Sequence, residues 1–119
     1  MSFRKRIQPA FDRELSAAAV AGSDPKSQFS HLERAHVLGQ SSTVLHTYAH
    51  LEMARWAMRQ RDIREFGGQC LRIVGAVTKT AFGWVPVGNT GGANVSPFKP
   101  LPLPLDLAEE IQAARLASK

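Results

Sequence analysis

The sequence predicts an all-α protein: a small helical bundle of two antiparallel helix hairpins, tetratricopeptide-like in its spacing, followed by an extended Gly/Pro-rich strap and a short C-terminal helix. Three observations carry this expectation. Apolar residues recur at intervals of three and four through the first two thirds of the chain, the period of an amphipathic helix. Helix-starting residues (Asp24 with Pro25, a serine or threonine near Ser42, Asp62 with Glu65) separate the periodic runs. From Gly83 to Leu105 glycine and proline break every such run.

The first helix is expected over about 11–21, after Pro9, because Phe11, Leu15, Ala18 and Ala19 make one apolar stripe and Gly22 stands where a left-handed C-terminal cap is wanted. Asp24 and Pro25 open a second helix over about 25–38. The aspartate can accept from first-turn amides, and proline loses nothing at the first helical position. Phe29, Leu32, Ala35 and His36 share its apolar face, and Gly39 ends it. After the polar break from Gln40 to Thr43, a third helix covers about 44–60. Leu45, Ala49 and Trp56 form one of its stripes, Leu51, Ala54 and Met58 another, and Tyr48, Glu52, Arg55 and Arg59 the narrow wet side. A helix apolar on two sides is the central one of a small bundle.

Asp62 with Glu65 reads as a capping box that opens a fourth helix over about 63–80, with Ile63, Phe66, Cys70, Ile73, Val74 and Val77 facing inward. The two hairpins repeat with a period in the mid-thirties, near that of tetratricopeptide repeats, although fewer than three units are present. Over 83–105 the alternation of proline and leucine demands an extended, polyproline-like chain, and Trp84, Val87, Val95 and Phe98 let it pack as a strap over the bundle. Within it, Gly88 to Asn94 lacks the strand, helix and lysine of a phosphate-binding loop and reads as tight turns. Asp106 with Glu109 starts a last helix over about 107–117.

A chain of 119 residues supports one domain, 1–119, with a real core. Apolar content of 44% and charged content of 21% are ordinary for a globular protein, and no run approaches the roughly 20 apolar residues that span a bilayer. No secretory signal follows the basic N-terminus. The single cysteine, Cys70, excludes an internal disulfide and suits a reducing cytoplasm; on the inward face of its helix it is expected to be buried. The net charge of +5 is spread along the chain without interleaved aromatics, so a solvated basic surface is expected and no nucleic acid.

All four histidines lie between His31 and His50, on either side of the turn between the second and third helices. Helices joined by so short a turn lie antiparallel. His36 then stands just before the turn and His46 just after, at similar heights, with His50 about 6 Å further along near the level of Glu33. His46 and His50, at i and i+4, are a chelating pair of the kind found on zinc-binding helices, and they share a sector with Met53 away from the charged side. Three imidazoles with one variable ligand suit zinc, copper, nickel or iron. The candidate ligands are His36, His46 and His50, with Glu33, His31 or Met53 as further members; His31, turned roughly 140° from His36, is expected to be peripheral.

No organic cofactor is indicated, and no motif fixes a reaction, which leaves open whether the protein is an enzyme. The competing readings are an adaptor that binds a protein partner or a second copy with its histidines in the core, and a metal-free acid–base enzyme. Glu33 and His36 give half of a di-iron motif, but no second such pair exists.

Four stretches taken together, His31 to Gln40, His46 to Met53, Arg61 to Gln69 and Pro86 to Ser96, resemble a family of short bacterial proteins catalogued as domain of unknown function 3703. The resemblance spans nearly the whole chain and implies a bacterial, stand-alone, single-domain protein without an established activity. The family's characteristic histidines match His31, His36, His46 and His50. An association of such genes with metal-resistance neighbourhoods would favour the metal reading.

Overall fold

Five helices follow in chain order: α1 (Phe3–Val20), α2 (Pro25–Gly39), α3 (Thr43–Arg59), α4 (Ile63–Ala81) and α5 (Leu105–Ala117). The computed structural model of the chain describes residues 2–81 and 103–118, among which there is no strand. The expected strap over 83–105 lies almost wholly outside the described residues.

The first helix differs most from expectation. It begins at Phe3, where the Ser2 hydroxyl accepts from the Lys5 amide (3.3 Å), and it carries Pro9 in its interior rather than starting after it. Proline inside a helix costs about 3 kcal/mol. Continuing through it buries Ile7 on the same face as Phe11, which returns about 1.5–3 kcal/mol, so tertiary burial offsets the break.

The starts of α2, α3 and α4 follow the sequence, whereas α5 begins at Leu105, ahead of the expected Asp106, with Pro104 at its N-cap and no side-chain cap. The Asp24 carboxylate accepts from the Ser27 amide (3.3 Å) with Pro25 at the first position of α2. The Ser42 hydroxyl accepts from the Leu45 amide (3.4 Å), and the Asp62 carboxylate from the Glu65 amide (2.9 Å). Between α3 and α4 the chain closes a Schellman turn: the Asp62 amide donates to the Ala57 carbonyl (2.9 Å) and the Arg61 amide to that of Met58 (3.1 Å). Arg61 takes the left-handed conformation (φ 56°) that glycine normally fills there.

Each helix packs on its chain neighbour through α4, and α5 returns to α1 and α2. One cluster joins Ile7 and Phe11 of α1, Ala35, Val37 and Leu38 of α2, Leu45 and Ala49 of α3, and Leu107 and Ala114 of α5. A second joins Ala18, Leu32 and Met53, with Leu15, Phe29 and Trp56 against it. The turn between α2 and α3 is tight because Gly39 lacks a side chain: a Cβ there would lie 2.7 Å from the Leu45 Cβ and 3.0 Å from the Phe11 ring.

Two expected faces are corrected. On α3 the stripe of Leu51, Ala54 and Met58 buries only Ala54, leaving Leu51 and Met58 exposed. On α4, Ile63, Cys70 and Val74 are exposed rather than inward, and the fully buried residue is Gln69. The inward turn of Gln69 and the outward turn of Cys70 have one cause. Turning Gln69 inward to meet a polar partner on α3 rotates the next residue, Cys70, by about 100° away from it.

Candidate metal centre

His36 sits in the last turn of α2, His46 in the first turn of α3 and His50 one turn further on. The tight passage at Gly39 holds α2 against α3 where these turns meet, and the three rings converge. The Nε2 atoms of His36 and His46 are 2.9 Å apart, those of His36 and His50 3.1 Å, and those of His46 and His50 3.1 Å. Ring centroids lie 4.6–4.8 Å apart with the planes strongly inclined, so the rings meet by their nitrogen edges and not by stacking. His36 and His50 are each 3% exposed, while His46 is half-buried and forms the rim.

Two of the three rings, His46 and His50, are held neutral. Burial pushes the His46 pKa down from 6.5 to about 3, with the neighbouring His50 as a second cause. Burial also pushes His50 down, to about 4, against the opposing pull of its Gln69 hydrogen bond; the positive charge of Arg72, on α4, adds to the lowering. Gln69 reaches the site from α4: its Oε1 lies 2.6 Å from the His50 Nδ1, and its Nε2 donates to the Glu65 carboxylate (2.5 Å). A carboxylate only accepts, so the amide nitrogen of Gln69 faces Glu65 and its oxygen faces His50. That oxygen likewise only accepts, so the His50 hydrogen is on Nδ1 and its Nε2 carries a bare lone pair.

Of the six residues the sequence offered as ligands, His36, His46 and His50 form the one candidate metal-holding group among the described residues. The other three are placed elsewhere. His31 donates from Nδ1 to the Glu14 carboxylate (2.9 Å) on the far side of α2. Met53 is fully buried in the apolar cluster with Ala18 and Leu32. Glu33 is half-buried and lies outside the histidine group. Exposed Cys70 does not join the group either.

Of the buried polar residues that sequence reasoning missed, two hydrogen-bond to histidines. Gln69 braces the site, and Glu14, 3% exposed, accepts from His31, from Arg34 Nε (3.1 Å) and from Arg13 (3.0 Å). Burial alone would raise the Glu14 pKa; these three donors outweigh it and hold it below the usual carboxylate range. Both residues carry the same signal, a polar side chain inside an apolar row. Ile7, Phe11, Glu14 and Ala18 follow one helical face, as do Phe66, Gln69 and Ile73.

Comparison with curated proteins returns no match, and neither does comparison with solved structures. A family model does match, over residues 5–111, a span that includes all three convergent histidines together with Gln69 and Glu65. The chain therefore belongs to the family described as protein of unknown function, DUF3703.

Proposed function

We propose that the protein binds a divalent transition-metal ion through the Nε2 atoms of His36, His46 and His50, in metal homeostasis or resistance or in support of a metal-dependent activity. The observation that carries this reading is the convergence of three ring nitrogens, mutually 2.9–3.1 Å apart, on side chains that are buried or half-buried. Imidazoles so arranged have three nitrogen–nitrogen contacts to satisfy. With the His50 Nε2 bare, His36 and His46 can supply at most one Nε2 hydrogen each. One cation at the meeting point would take all three lone pairs at once, and neutral imidazole suits zinc, copper, nickel and iron.

Bonds of about 2.0–2.1 Å to nitrogens spaced this closely subtend about 95° at the ion, so a tetrahedral zinc would spread the three atoms to about 3.3 Å. Three protein ligands leave a coordination position for solvent or an exchangeable small ligand. That is the pattern of a catalytic or transfer site, whereas a closed structural site has four. A bacterial cytoplasm, with its reducing thiol pools, fits the lone cysteine.

The test is elemental analysis and zinc titration of untagged protein. One ion per chain is expected in the wild type, and none in the combined variant His46→Ala with His50→Ala. His31→Ala is expected to keep the ion, because that ring serves Glu14. Full retention in the double variant removes the assigned ligands.

A second reading, an adaptor for a protein partner, draws on the apolar side chains of α4 that face outward, Ile63 (85% exposed), Leu71 (76%) and Val74 (65%). A partner captured from lysate and indifferent to chelator would favour it.

A further inference from the structure

Gln69 is fully buried, and a primary amide sealed from water is costly unless both of its ends are hydrogen-bonded. Here both ends are used. The oxygen accepts from His50 and the nitrogen donates to Glu65, which stands one helical turn earlier on the same face of α4. The Asp62 carboxylate caps the amide of Glu65 at the start of that helix, which fixes the backbone from which the Glu65 side chain projects. The Glu65 side chain, half-buried, accepts from Gln69.

We infer that Gln69, oriented by Glu65, is the positioning residue of the imidazole cluster: the pair fixes His50 in its Nδ1–H tautomer and so holds a bare Nε2 lone pair at the point where the three rings meet. Its purpose rests on the metal reading above; its geometry stands without an ion. Without the pair, His50 is free to adopt the other tautomer, which puts a hydrogen where a cation would sit. The negative charge of Glu65 acts through the amide, polarising both hydrogen bonds and making the His50 Nε2 a better donor to a cation. A ligating histidine whose second nitrogen is held by such a partner binds its metal more tightly, and loss of the partner typically costs about 10–100-fold in affinity.

The experiment has two readouts on the full chain. Long-range nitrogen–proton correlation spectra of the metal-free protein report which ring nitrogen of His50 carries the hydrogen. Competition with a chromogenic chelator reports zinc affinity. The wild type is expected to show the hydrogen on Nδ1. Gln69→Met, close in volume but without an acceptor, is expected to show mixed tautomers and a zinc affinity about 10–100-fold lower. The exchange Glu65→Gln with Gln69→Glu keeps both hydrogen bonds with amide and carboxylate interchanged, and it is expected to restore both readouts. Glu65→Gln alone, at a half-buried position, keeps the test open should Gln69→Met fail to fold; it is expected to weaken zinc binding by up to about tenfold.

A glutamine that merely fills space would lower thermal stability on substitution and leave the tautomer unchanged. The inference is overturned by a hydrogen on the His50 Nε2 of the wild type, by unchanged tautomer and affinity in either folded single variant, or by a folded exchange variant that restores neither. If the wild type shows the Nδ1 hydrogen, loses it in Gln69→Met and yet takes up no zinc, the metal reading falls and the positioning role stands.

Discussion

At the scale of single residues, the site is a contest for protons. His46 and His50 carry lowered pKa values, about 3 and about 4 against an ordinary 6.5, chiefly because burial penalises the imidazolium. Above pH 6.5 these rings are neutral in both folded and unfolded chains and add no pH dependence. Below it the unfolded chain takes protons that the folded chain refuses, so stability falls as the pH falls through 6.5 towards 4 and then 3. The denaturation midpoint of the metal-free protein is therefore expected to drop between pH 7 and pH 5. His46→Ala with His50→Ala should flatten that slope; an equally steep profile in the variant would place its origin elsewhere. Metal release should follow the same direction, because protons compete for the same lone pairs.

At the scale of elements, the hairpin of α2 and α3 does the positioning, and Gly39 sets how closely its arms approach. A methyl group there would press on the Leu45 Cβ and the Phe11 ring. Gly39→Ala is expected to cost about 1–3 kcal/mol by overpacking, read as a lower denaturation midpoint, and to loosen zinc binding by parting His36 from His46.

This part of the site was readable from the sequence because its information is local: a short polar turn, helix starts at Ser42 and Asp24, and histidines whose angular positions follow from 3.6 residues per turn. Gln69 was not readable, since its partners are one imidazole on another helix and one carboxylate that the capping-box pattern assigns to the helix start. The apolar count of α4 alone favours turning Ile63, Cys70 and Val74 inward; a buried hydrogen-bond pair decides otherwise. The start of α1 failed for a related reason, because local chemistry at Pro9 argues for a break and only the distant core rewards burial of Ile7.

At the scale of the whole molecule, α5 closes one side of the bundle, and two kinds of contact hold it. Arg13 grips Glu110 with two hydrogen bonds (2.8 and 3.0 Å), and Arg34 pairs with Asp106. These pairs are largely solvent-exposed, and such pairs contribute little, about 0–1 kcal/mol each. Burial of Leu107 and Ala114 matters more, as does Glu14, which holds Arg13 and Arg34 from beneath. Glu14→Gln leaves Arg13, Arg34 and His31 facing a neutral amide, and it is expected to cost about 1–3 kcal/mol while leaving zinc stoichiometry unchanged. Thermal melts with and without zinc check both halves of that statement.

The three convergent nitrogens come from two consecutive helices and a single short turn, within 36–50. An ion seated among them would act as a rivet through the mouth of one hairpin. It would close a loop of few residues, for which the chain sacrifices little freedom. Loading and unloading would then ask only that this mouth part by a local opening, with α1 and α5 still seated. Exchange of an ion at such a site would not require the rest of the bundle to unfold.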